Sequence, residues 1–86
     1  MGIIEHDGRD LTVTIRKKLA SGRLPREFPT QMWVGYGNGR PCDACEQPVT
    51  LADVEYEPEF SDPSVHIRLH EKCLGVWHQE REGSRV

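Results

Sequence analysis

Three cysteines, six aromatic residues and no long apolar run leave this 86-residue chain few ways to hold itself together. A domain of this length buries only about 60% of the surface its unfolded chain exposes, so a core drawn from 36% hydrophobic residues is marginal. A staple is expected. Disulfides are a poor one here, because three cysteines cannot all pair within one chain. No stretch approaches the roughly 18 apolar residues that span a bilayer. Residues 1–7 lack the basic-then-apolar order of a signal peptide, and His6 stands where a myristoylation signal needs Ser or Thr. The expectation is a cytoplasmic chain with no membrane partner.

What the chain has is an uneven distribution of charge. Residues 1–40 carry seven Lys/Arg against four Asp/Glu, a balance of +3, while residues 41–86 carry four against ten, a balance of −6. A basic first part is joined to an acidic second part. Nonspecific affinity for nucleic acid, a polyanion, is therefore expected only from the first, through Arg16, Lys17, Lys18, Arg23 and Arg26.

Along the chain, Leu11, Ile15 and Leu19 recur every four residues, with Asp10 placed as an N-cap and Gly22 as a stop. Leu11, Val13 and Ile15 also alternate, as in a strand. The Arg-Lys-Lys-Leu-Ala run and the stop signal favour the helix. Pro25 and Pro29 make residues 24–29 an extended linker pinned by Leu24 and Phe28. Met32–Val34 can form a short strand. The glycines at 35, 37 and 39 then let the chain turn closely against residues 41–48, and they lack the Lys-Ser/Thr ending of a phosphate-binding loop. Val54, Tyr56 and Phe60 alternate with Asp53, Glu55, Glu57 and Glu59, which predicts a half-buried strand with an acidic outer face. Pro58 suggests an edge position or a bulge. After the turn residues 61–64, Val65, Ile67 and Leu69 alternate with His66, Arg68 and His70. Paired as a hairpin, the two runs set Glu57 against Arg68 and Glu59 against His66 while gathering Tyr56, Phe60, Val65 and Leu69 on the inner face. Residues 71–81 then form a helix, with Leu74 and Trp77 directed into the core.

The chemistry lies in two pairs, Cys42-Asp43-Ala44-Cys45 and His70-Glu71-Lys72-Cys73, separated by 24 residues. Two sulfurs in a Cys-x-x-Cys turn converge on one ion, and positions three apart on a first helical turn share a face, so His70 and Cys73 reach the same ion. The donor set of three thiolates and one imidazole suits a single structural Zn²⁺. Three bound thiolates and Zn²⁺ together add a charge of about −1, which leaves the second part acidic. A redox dithiol normally opens a helix, whereas Pro41 and Pro48 bracket a turn. A zinc nucleobase deaminase matches locally from Pro41 to Cys45 but requires an upstream His-x-Glu, and His6-Asp7-Gly8 does not supply one. His66 and His78 are the alternative imidazoles and are placed less well than His70.

A Cys-x-x-Cys knuckle at residues 41–48, a hairpin and a helix whose first turn carries the second ligand pair resemble a treble-clef zinc finger over about residues 40–82. The motif is also similar to small uncharacterised bacterial proteins with Cys-x-x-Cys followed by His-x-x-Cys ahead of a tryptophan. The resemblance implies an α+β, zinc-stabilised fold and does not extend to residues 1–39; the residue pattern itself divides the chain into an N-terminal helical arm and linker, 1–28, and a zinc-binding module, 29–86. Treble-clef fingers serve nucleic-acid binding, protein binding and, in some families, catalysis, so the fold does not settle function. Four protein ligands leave no open metal position, which disfavours an enzyme. The expected role is a protein-interaction adaptor or regulator using Glu55, Glu57 and Glu59 beside Trp33 or Tyr36. The alternative is a nucleic-acid-binding regulator using the basic arm.

Overall fold

The computed structural model describes residues 8–83 and is a small α+β fold of two helices and one antiparallel pair of strands. The helix α1 spans Gly8–Ser21, β1 Gln31–Tyr36, β2 Val54–Glu59 and α2 Glu71–Gly83. Residues 11–19 are helical, so the four-residue recurrence prevails over the alternation. Asp10 falls inside the first turn of α1 rather than at its cap, where its carboxylate still faces the positive end of the helix dipole. Gly22 ends the helix at φ 84°, a left-handed conformation that costs glycine little. Its N–H bonds to the Leu19 carbonyl and the Leu24 N–H to that of Lys18, which satisfies carbonyls the helix leaves open.

One core joins both ends of the chain. Ile15 and Leu19 of α1, Leu24, Cys42, Val49, Phe60, Leu69, Cys73 and Trp77 all belong to the same buried cluster. Residues 25–28 are held mainly by α2. The Trp77 indole donates to the Pro25 carbonyl at 2.9 Å, and the Arg81 guanidinium donates to the Glu27 carbonyl at 3.0 Å. Arg81 also lies over the rings of Trp77 and Phe28, at 3.9 and 4.6 Å from their centroids. Phe28, expected as an anchor, remains half-exposed, and burial of the linker falls to Leu24.

The sheet departs from expectation in its partner. The main ladder pairs β2 with β1, setting Trp33 opposite Glu57, Val34 opposite Tyr56 and Tyr36 opposite Val54. On its other side β2 meets residues 66–69 through two isolated bridges only, Tyr56 with Leu69 and Glu59 with His66. The expected hairpin register is thus present while its second strand is not. Pro58 explains the gap: with no N–H, it has no donor for the Ile67 carbonyl, so the ladder breaks between the bridges. Pro58 thus sits as an edge position allows: β2 is one of only two strands, and the missing donor falls on its unladdered side. Arg68 turns the opposite way, its N–H donating to Asp43 Oδ2 at 2.7 Å and its carbonyl accepting from the Asp43 N–H at 2.8 Å. That exchange fastens segment 66–69 to the loop containing Cys42 and Cys45.

A second fastening passes through the glycine run. Gly37 is buried, and a Cβ there would collide with the carbonyl oxygens of Val49 and Thr50. Gly39 donates its N–H to the Val49 carbonyl, and Val49 returns its own to Arg40, which delivers the chain to the Pro41–Pro48 bridge. Gly35, by contrast, faces open space. Gly37→Ala is expected to destabilise the fold by about 2 kcal/mol or more through backbone displacement, whereas Gly35→Ala should change little. Thermal unfolding of the two variants checks this.

Candidate metal centre

The first ligand pair sits in a turn built by short-range hydrogen bonds. Cys42 donates its N–H to the Gln47 carbonyl and accepts at its own carbonyl from the Glu46 N–H, both at 2.9 Å. Closing so tight a turn puts Glu46 at φ 68°, in the left-handed region. The Ala44 N–H points at Cys42 Sγ at 3.4 Å, a contact that stabilises thiolate charge.

The second pair comes from the start of α2. The His70 carbonyl accepts from the Leu74 N–H at 2.9 Å, so His70 caps the helix and Cys73 lies in its first turn. Here Cys42, Cys45, His70 and Cys73 come together, with their ligand atoms all within 4.8 Å of one another. His70 Nδ1 is 3.4 Å from Cys45 Sγ and 4.0 Å from Cys73 Sγ. Ligands around a tetrahedral Zn²⁺ with ordinary bond lengths lie about 3.6 Å apart for sulfur and nitrogen, so these separations bracket the required value. The far ring nitrogen, Nε2, is 3.1 Å from the Pro48 carbonyl. A carbonyl only accepts, so Nε2 carries the hydrogen and Nδ1 presents its lone pair to the site. Asp53 Oδ2, held by the N–H and hydroxyl of Thr50, adds a carboxylate 3.8 Å from the same nitrogen.

The thiols share hydrogen unevenly. Cys42 is drawn down to about 4, chiefly by the hydrogen bond it accepts from Cys73, with burial opposing and neighbouring backbone N–H groups assisting. Burial pushes the Cys45 thiol up, and donation to Cys42 holds Cys73 well above the ordinary thiol value. At neutral pH one sulfur is thus a thiolate and two are thiols, and a metal must displace their hydrogens.

Lys18 completes the surroundings from α1. Its Nζ donates to the carbonyls of Asp43 and Ala44 at 2.9 and 3.0 Å and pairs with Glu46 at 2.8 Å. With 12% of its side chain exposed, Lys18 serves the knuckle and is withdrawn from the expected basic face. Arg16 pairs with Glu80 of α2 at 2.7 Å. Lys17, Arg23 and Arg26 are exposed. Among the acidic residues, Glu59 is exposed and Glu57 half-buried, but Glu55 is buried at 8% exposure, contrary to its expected place on the outer face. Arg68 reaches diagonally to Glu55, at 3.7 Å, instead of meeting Glu57. Glu55 is also pushed up by hydrogen bonding with Glu57 and by burial. Trp33 is exposed and its indole donates to Glu59 at 2.8 Å. His66 and His78 are exposed and outside the cluster.

Asp43 and Arg81 gave no functional signal in sequence, and Lys18 signalled a basic face rather than support of the turn, since each acts across at least 25 residues. The fold and site together define a small α+β chain with a possible metal centre of three cysteines and one histidine. No known protein family, characterised protein or solved structure matches the chain.

Zinc binding should displace about two thiol hydrogens near neutral pH, from Cys45 and Cys73, so affinity rises with pH; calorimetry in buffers of different ionisation enthalpy counts them. Lys18→Met should weaken zinc binding about 10- to 100-fold in a competition assay with a chromophoric chelator. Arg16→Ala, which breaks an exposed pair, should leave it nearly unchanged.

Proposed function

We propose that this chain is a treble-clef-like module held by one structural Zn²⁺, and that it acts as a protein-interaction adaptor or regulator rather than an enzyme. The convergence of Cys42, Cys45, His70 and Cys73 carries the reading, because four protein ligands fill a tetrahedron and leave no position for water or substrate. Support for the treble-clef likeness comes from the order of parts: a Cys-x-x-Cys turn, β2 bridged to segment 66–69, and α2 with its ligands at the start. Support for a protein partner comes from exposed Trp33 beside Glu57 and Glu59, with Val34 and Tyr36 exposed on the opposite face of β1. No helix among the described residues is long and apolar enough to cross a membrane, and we place the protein in the cytoplasm on its three reduced cysteines.

The nucleic-acid reading is weaker. Arg16 and Lys18 are engaged with Glu80 and the knuckle. Lys17, Arg23 and Arg26 stay exposed, on a chain of net charge −3. Phosphate binding by that face would weaken steeply with salt.

Purified protein is expected to carry about one zinc per chain. A strong chelator should unfold it, as should Cys45→Ser or Cys73→Ser. Circular dichroism that stays near-native after metal removal overturns the structural role. Affinity capture from the native cell by the loaded chain, beside an Arg16/Lys17/Lys18 triple-Ala variant, separates the two binding readings: protein partners retained by both favour the adaptor, and nucleic acid lost from the variant favours the alternative.

A further inference from the structure

β1 is an edge strand of the two-stranded sheet, and among the described residues its outer side is unpaired. Gly37 donates its N–H to the Asp53 carbonyl, which fixes the alternation of the ladder: residues 33 and 35 exchange hydrogen bonds with β2, so the N–H and C=O groups of Met32, Val34 and Tyr36 point away from it. Among the described residues no segment pairs with that edge. Outer strands are ordinarily protected by charge, proline or a bulge. β1, with the sequence Gln-Met-Trp-Val-Gly-Tyr, has neither charge nor proline, and Val34 and Tyr36 are 61% and 81% exposed.

The two faces beside the edge differ in chemistry. Directly paired residues share a face, so Trp33 stands with Glu57 and, diagonally, with Glu59, to which its indole is bonded. Val34 and Tyr36 stand on the other face with Val54, which is also exposed. A strand added to β1 would thus place alternate side chains beside an aromatic ring backed by carboxylates and beside an apolar surface. Cations fit the first position, by charge and by contact with the Trp33 ring, and aliphatic side chains fit the second.

We propose that the free edge of β1 binds an extended peptide segment of a partner protein by antiparallel strand addition, and that the segment alternates Lys/Arg with β-branched apolar residues. This binding mode rests on the adaptor reading and gives the partner a chemistry. A second copy of this chain fits less well, because its own β1 carries no cation for the Trp33 face.

The test titrates the zinc-loaded full chain with a synthetic peptide that alternates Lys and Val, followed by ¹⁵N chemical shifts and amide exchange. Binding should protect the amides of Met32, Val34 and Tyr36. Methylating the peptide nitrogens on one alternate set should weaken it at least about tenfold, and methylating the other set should do little. That arm leaves the protein unaltered. Val34→Pro removes an outward N–H that β2 does not use, so zinc content should persist while binding falls to a similar degree. Replacing Glu57 and Glu59 by Gln should weaken binding several-fold at low salt, and a peptide with Asp for Lys should not bind. Absence of protection on β1, or equal binding of the Asp peptide, overturns the proposal. So does a chain that is already a dimer through β1 by sedimentation, or a β1 edge already protected in the free chain by residues 1–7. Peptide binding that maps to Glu57 and Glu59 but survives Val34→Pro overturns strand addition alone and leaves the adaptor reading standing. Capture of nucleic acid instead of protein removes the adaptor reading itself.

Discussion

Bringing four donor atoms to one point is the constraint on which the rest of this structure depends. Three of the four are sulfur, a soft, polarisable atom that packs against apolar side chains and binds metal strongly as a thiolate, so the same residues can serve both as core and as a cage. Cys42 and Cys73 are accordingly part of the buried cluster with Leu69 and Trp77. The site is a component of the core rather than an attachment to it. A change at any ligand is therefore transmitted to packing: loss of Cys73 frees the first turn of α2, and α2 in turn holds residues 25–28 through Trp77 and Arg81.

Charge then dictates what surrounds the cage. Three thiolates around a divalent ion would leave a charge of about −1 in a partly buried position, a costly arrangement unless positive groups lie close. Lys18 supplies one, seated on the knuckle carbonyls and drawn from a helix 25 residues earlier in the chain. Its ammonium satisfies carbonyl oxygens that the turn leaves open, so it contributes both charge and geometry. Asp43 performs the complementary task on the other side of the same turn by exchanging two hydrogen bonds with Arg68. The knuckle is thereby clamped between α1 and segment 66–69.

What sequence made legible was local. Ligand spacing is a property of one turn and one helical start, and the register of residues 56–60 against 65–69 comes from alternation on both runs. Identification of β1 as the main partner of β2 was beyond it, because β1 shows no alternating burial: five of its six residues are exposed and only Met32 is partly covered. With no hydrophobic face to reveal, such a strand has no period. Burial of Glu55 was hidden for a related reason. An alternating pattern assigns a residue to a face, but whether that face is open depends on what crosses it, and here Arg68 does. The basic cluster misled in the same way, since composition counts Lys18 as surface charge while its Nζ is committed to carbonyls.

The sheet is asymmetric, and the asymmetry has a simple origin. On one side of β2, Pro58 withholds a donor and Arg68 turns its backbone to the knuckle, so segment 66–69 stays irregular and close to the metal ligands. On the other side, β2 offers unbroken pairing to β1, which is built almost entirely in solvent and touches the core little. A strand so exposed would be marginal as an isolated hairpin in water. It persists because Thr30 and Gly37 anchor its two ends, to the Glu59 and Asp53 carbonyls. Metal-side order and solvent-side exposure thus meet across a single strand. Segment 66–69 and α2 hold β2 from behind, and the held β2 presents β1 in an extended form whose ordering entropy is already spent.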